Sequence, residues 1–95
     1  VWMPYAAGRP VLRGHGRVGS LLRCVVPWQD RPTQTVWDVW SIRRDGQLMG
    51  DRPAAAGRYR VGTRDRGKRL VCAANGFNAG GNFVTRSSRP VRIAR

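Results

Sequence analysis

The 95-residue chain contains no glutamate, one lysine, one histidine and two cysteines, and it has no long apolar run. With no glutamate and five scattered aspartates, the chain offers no carboxylate pair for acid–base work and no calcium cage. The single histidine, His15, sits in a Gly14–Gly16 turn and partners neither a serine nor a cysteine, which argues against nucleophilic hydrolysis. Cys24 and Cys72 are too far apart for the close ligand pairs of a zinc site. No segment approaches the ~18 apolar residues of a spanning helix, and none reads as a signal peptide. The glycine-rich Asn78–Gly81 precedes no helix, so it is a turn and not a phosphate loop. The expectation is a protein that is not an enzyme, with no cofactor, no metal, no small-molecule substrate and no membrane span.

What the chain does have is arginine. Seventeen arginines and Lys68 set against five aspartates give a formal charge of +13. Such a balance implies an acidic partner: nucleic acid, anionic glycan or teichoic acid, a membrane surface or an acidic protein. A GC-rich genome also favours arginine, glycine and alanine, so the charge has a second explanation. The chain starts at Val1, which fits either a trimmed initiator methionine or a removed signal peptide.

Alternation of apolar and polar residues is the second positive signal. Tyr59 and Val61 alternate as an inward strand face, Asp65 and Gly67 make a corner, and Leu70, Cys72 and Ala74 resume the alternation before the Asn78–Gly81 turn. Upstream, Val18, Leu22, Cys24 and Val26 read as inward, with Arg23 and Val25 outward. Val11–Arg13 is a short first strand. The segment Val36–Arg44 is a strong strand closed by the Asp45–Gly46 hairpin signal. Its expected phase turns Val36, Trp40 and Ile42 inward and leaves Trp37 and Val39 as an outward apolar patch; the opposite phase would expose three large residues. Trp28 is expected to lid one end of the core, and Pro90 to sit at a strand edge or break. No useful helical period occurs. About seven short strands with frequent turns indicate an all-β, two-sheet sandwich whose expected core includes Leu22, Trp40, Tyr59, Leu70 and Asp65. Asp65 is expected to cap backbone amides or to pair an arginine. A Cys24–Cys72 disulfide is the natural reading, with two buried thiols as the alternative; it would place the protein in an oxidising compartment. Residues 1–9 form an apolar arm outside the 10–95 domain, and Trp2, Met3 and Tyr5 either fold back as an edge segment or dock onto a neighbouring subunit.

These residues, in this order, resemble the immunoglobulin-like repeats of actinobacterial surface proteins and tailed-phage structural proteins. The likeness rests on Val18-Gly19, Leu22 and Cys24, Trp28, Trp40, Asp45-Gly46, Tyr59 and Val61, then Asp65, Gly67, Leu70 and Cys72, and finally Asn78-Ala79-Gly80-Gly81. It covers about Pro10 to Ile93. The chain departs from the repeat in having two more residues between Trp40 and Asp45, which would project Arg43 and Arg44. It also carries Asp38 where an aromatic residue is usual, and arginine at Arg23, Arg58, Arg60, Arg64, Arg66 and Arg69. The resemblance implies an immunoglobulin-like sandwich with a B–F type disulfide, on a virion surface or at the cell exterior.

Two functions follow as expectations. In one, a structural module docks onto other protein subunits, such as a phage capsid, a tail or a cell-surface complex, through Trp2, Met3, Tyr5, Trp37 and Val39, with its arginines meeting acidic protein. In the other, a secreted module binds an anionic polymer through Arg43, Arg44, Arg58 and Arg60.

Overall fold

The computed structural model describes residues 3–95; Trp2, expected in the arm, lies outside the described residues. The described chain is all-β apart from one 3-10 turn, Thr63–Asp65. Its strands are β1 (Tyr5–Ala6), β2 (Val11–Arg13), β3 (Leu21–Val25), β4 (Trp28–Asp30), β5 (Gln34–Ile42), β6 (Leu48–Pro53), β7 (Arg58–Arg60), β8 (Arg69–Asn78), β9 (Gly81–Val84) and β10 (Val91–Arg92). They form an antiparallel three-stranded sheet, β2-β3-β7, and a five-stranded sheet in which β8 lies between β5 on one side and β9 and β10 on the other, with β6 at the edge. The pair β1-β4 stands apart.

The two larger sheets share one core because each alternates. Leu12, Leu22 and Cys24 come from the first sheet, Val39, Leu70 and Cys72 from the second, and Ala54, Val61 and Ile93 close the ends. Cys24 and Cys72 join the sheets as a disulfide across a Cα separation of 6.1 Å. Arg23 and Val25 point to solvent, as the alternation of β3 requires. Tyr59 packs half-buried against the core.

The phase of β5 is the opposite of the expected one. Val39 is fully buried, and Trp37 packs against both this core and a second cluster of Ala6, Val26 and Ala74. Trp40 is not in the core, and neither Trp37 nor Val39 forms an outward patch. The cause is register: Val39 pairs Cys72 across the ladder, opposed residues share a face, and Cys72 must face Cys24. The disulfide therefore decides which side of β5 is inside.

Trp28 and Phe83 cover the second cluster, their rings edge-to-face at 6.5 Å. Trp28 comes so close to β8 that a Cβ on Gly76 would meet its ring at 2.7 Å. The arm folds back over this end. Pro4 and Ala6 are buried, the Ala7 amide donates to the Pro27 carbonyl, and the Tyr5 ring stands edge-on to Phe83 at 5.5 Å. Met3 and Tyr5 remain about half exposed.

Where proline interrupts the last strand, side chains repair the ladder. From Val84 to Val91 the chain takes seven steps while its partner strand takes five, from Asn75 to Leu70. In the gap the amides of Ala74 and Cys72 donate to Thr85 Oγ1 at 3.0 Å and Ser88 Oγ at 2.9 Å. These two hydroxyls give the buried amides the acceptors that burial demands.

A tight turn joins β6 to β7, with the Arg58 amide donating to the Ala55 carbonyl and positive φ at both central residues, Ala56 (54°) and Gly57 (77°). Alanine in this region carries a steric penalty that asparagine escapes. Ala56→Asn is expected to stabilise the protein by about 1 kcal/mol, raising Tm by about 4–8 °C for a domain of this size. Calorimetry showing no gain would mean that the turn carries no such penalty.

Candidate interaction surfaces

The first surface is the outer face of the five-stranded sheet. Because β5 turns Trp37 and Val39 inward, it turns Val36, Asp38, Trp40 and Ile42 outward. Val36 pairs Asn75, and Asn75 pairs Val84, so the two valines flank one asparagine on the same face. They are 53% and 64% exposed. Trp40 pairs Val71, and Ile42 pairs Leu48. Val71 and Ala73 are buried although they too point away from the core. The face is largely apolar, with Asn75 set between the two valines. Asp38 interrupts it; burial first, and then a hydrogen bond and repulsion from Asp51, push its carboxyl above the usual aspartate value.

The second surface is a basic groove of about 850 Å3 at the far end of the same sheet. One wall is the β5–β6 turn, closed by the Arg43 amide on the Gln47 carbonyl and the Gln47 amide on Asp45 Oδ1. The turn presents Arg43 and Arg44. The opposite wall runs from the 3-10 turn to the start of β8 and supplies Arg64, Lys68 and Arg69. Ile42 and Met49 add apolar surface. Asp45 lies 4.0 Å from Arg43 in an exposed pair, an arrangement worth little in water.

Between these walls lies the one fully buried charged pair among the described residues. Two steps along β5, from Val39 to Ser41, face three along β6, from Arg52 to Met49. Gly50 (φ 64°) absorbs the extra residue as a bulge. Arg52 lies opposite Val39 and so points inward. Its Nε donates to Asp65 Oδ1 at 2.8 Å, and Nη1 donates to the carbonyls of Gly50 and Met49. Asp65 Oδ2 accepts from the Tyr59 hydroxyl at 2.5 Å and the Gly62 amide at 2.9 Å. Burial raises the Asp65 carboxyl, but the Tyr59 hydroxyl, the Gly62 amide and the Arg52 guanidinium outweigh it and hold it below the usual aspartate value. Asp65 thus both caps an amide and pairs an arginine. Its partner Arg52 carries no sequence signal, because the bulge that turns it inward breaks the alternation.

The third surface is a cleft of about 490 Å3 where Trp28 and Trp37 meet Arg23, Arg31 and Arg58. The four arginines of the anionic-polymer expectation do not line one common groove. Arg43 and Arg44 share the basic groove, Arg58 lines the cleft, and Arg60 donates from Nη1 to the Gly19 carbonyl at 2.7 Å. Among the described residues no group of His, Cys, Asp and Glu side chains is placed to hold a metal ion, and no helix is long and apolar enough to cross a membrane.

No protein-family model matches the chain, and no curated protein or solved structure is significantly similar to it.

Proposed function

We propose that this chain is an immunoglobulin-like sandwich module, of the kind repeated in actinobacterial surface proteins and tailed-phage structural proteins, that docks without catalysis onto a larger protein assembly. The pairing order supports the fold reading: immunoglobulin-type sandwiches put strands A, B and E in one sheet and C, F and G in the other, with a disulfide between B and F. Here β2-β3-β7 faces β9/β10-β8-β5-β6, and the disulfide joins β3 to β8.

The observation that carries the docking reading is the apolar outer face, with Val36 and Val84 more than half exposed on either side of Asn75 and Trp40 further along. Exposed apolar side chains gathered on one sheet face of a small domain mark an interface. The expected occupant is a protein subunit with an apolar strip and an acidic rim, because the rest of this chain is strongly positive. A virion surface or a cell-surface complex supplies such a subunit in an environment that preserves the disulfide.

A photo-crosslinking residue placed at position 36 in the native host tests this. One discrete protein adduct is expected, retained between 50 and 200 mM salt and lost when Val84→Asp is added. Burying two valines is worth about 1.5–3 kcal/mol each, so the double variant Val36→Asp/Val84→Asp should weaken binding of the identified subunit at least tenfold. If position 36 yields no discrete adduct, or the double variant binds as tightly as the parent, the docking face is wrong.

A further inference from the structure

The basic groove shares Ile42 with the docking face, but the most exposed residues of that face, Val36 on β5 and Val84 on β9, lie towards the other end of the sheet. It collects Arg43, Arg44, Arg64, Lys68 and Arg69 around one open space, with Asp45 as the only acidic lining residue among the described residues. Charges gathered within about one Debye length repel one another. Among the described residues Asp45 offsets them only weakly, as an exposed partner of Arg43, and the nearest buried carboxylate, Asp65, is already held by Arg52, Tyr59 and the Gly62 amide. Arg52 in turn forms a fixed, neutralised back wall.

We infer that this groove binds a linear polyanion whose repeating unit is a phosphodiester on an aliphatic, polyol-type backbone. The charge pattern sets the sign of the ligand, guanidinium forks suit phosphate oxygens, and the spread of cations over two walls suits a chain of such groups better than one small ion, since several weak contacts must act together. The lining sets the backbone. Ile42 and Met49 offer apolar contact, and among the described residues no aromatic side chain lines the groove, so these residues supply none of the stacking platforms by which single-stranded nucleic acids are gripped. The two tryptophans that could stack lie in the separate cleft with Arg58.

The test uses the intact, disulfide-bonded protein and synthetic poly(glycerol phosphate) of defined length, with poly(dT) of equal phosphate number as comparator. The parent is expected to bind poly(glycerol phosphate) with an affinity that falls steeply with salt, with a log–log slope of about 3.5 if five phosphates are contacted at ~0.7 per contact. Arg43→Gln/Arg44→Gln should weaken binding about tenfold, two exposed charge contacts being lost, and should reduce the slope by about 1.4. Arg23→Gln/Arg58→Gln removes the same net charge from the cleft and should change the affinity less than threefold. Equal losses in the two variants would show attraction to net charge with no groove, and would overturn the inference. So would undetectable binding by the parent. Poly(dT) binding more than tenfold tighter through Arg43 and Arg44 would assign the groove to nucleic acid and overturn the polyol class. None of these outcomes depends on the crosslink at position 36, so the two readings stand or fall separately.

Discussion

Asp65→Ala is expected to destabilise the protein by about 3–5 kcal/mol, the usual consequence of removing one partner from a buried ion pair. The loss would come less from the missing attraction than from what stays behind. Arg52 is 3% exposed, and without Asp65 its guanidinium keeps only the Gly50 and Met49 carbonyls. The Tyr59 hydroxyl and the Gly62 amide lose their acceptor at the same moment. Against a total stability of about 5–15 kcal/mol for a domain, this is a large share. Urea denaturation of Asp65→Ala, Arg52→Met and the combined variant separates the terms. The double variant should recover much of the loss, because an apolar pair leaves no uncompensated charge. A single-variant loss below about 1 kcal/mol would show that water reaches the site and screens it.

The same cluster gives the protein an acid limit. Asp65 is held below its ordinary value when folded, so the folded state binds the proton more weakly than the unfolded chain does. Its contribution is complete above the ordinary aspartate pKa of about 3.9 and is lost as pH falls through the lower folded value. The parent should therefore lose stability on acidification more steeply than the apolar double variant does. Tyr59 acts at the other extreme. Burial, then its hydrogen bond to Asp65 and the carboxylate charge, raise its phenol, so its contribution is present below the ordinary tyrosine value and lost as pH rises through the folded one.

Reduction of the Cys24–Cys72 bond, or Cys24→Ala/Cys72→Ala, is expected to cost about 4 kcal/mol, the chain-entropy value for closing a loop with a sequence separation of 48. With a urea m-value of about 1–2 kcal/mol/M for a domain this small, the midpoint should fall by roughly 2–4 M. The consequence reaches beyond stability. Cys72 holds Val39 and Trp37 on the inner side of β5 through the ladder, and the alternative phase would bury Val36, Trp40 and Ile42 instead. The reduced protein has lost the covalent constraint on that choice, although packing of Trp37 into both clusters still favours it. A midpoint shift below about 0.5 M would mean that noncovalent packing alone suffices to restrain the chain.

Where the alternation in the sequence had one apolar side, it was readable. Leu22 and Cys24 alternate with Arg23 and Val25, and charge on one side leaves only one phase possible. The same holds for Leu70 against Arg69, and for the Asp45-Gly46 turn, whose residues suit only a bend. Asp65 could be placed as a corner residue for a similar reason: a lone acid between arginines, just before a strand, has amides and cations as its available partners.

β5 had no such asymmetry. Val36, Trp37, Val39, Trp40 and Ile42 put large apolar residues on both sides, so local burial preference cannot choose between the phases, and counting exposed bulk chooses wrongly. The choice is made by a partner strand more than thirty residues away, through the pairing of Val39 with Cys72. Arg52 was hidden for a related reason. A bulge at Gly50 shifts the count by one, and a one-residue shift exchanges the faces of everything beyond it.

By itself, then, the sequence determined the all-β class, the turns, the alternating strands around the two cysteines and the excess of positive charge, because each depends on neighbours a few positions away. Only the tertiary structure decided which face of β5 is exposed, which arginines share a groove and which arginine Asp65 holds, because each depends on register between strands distant in the chain. Those are also the features on which both functional readings rest.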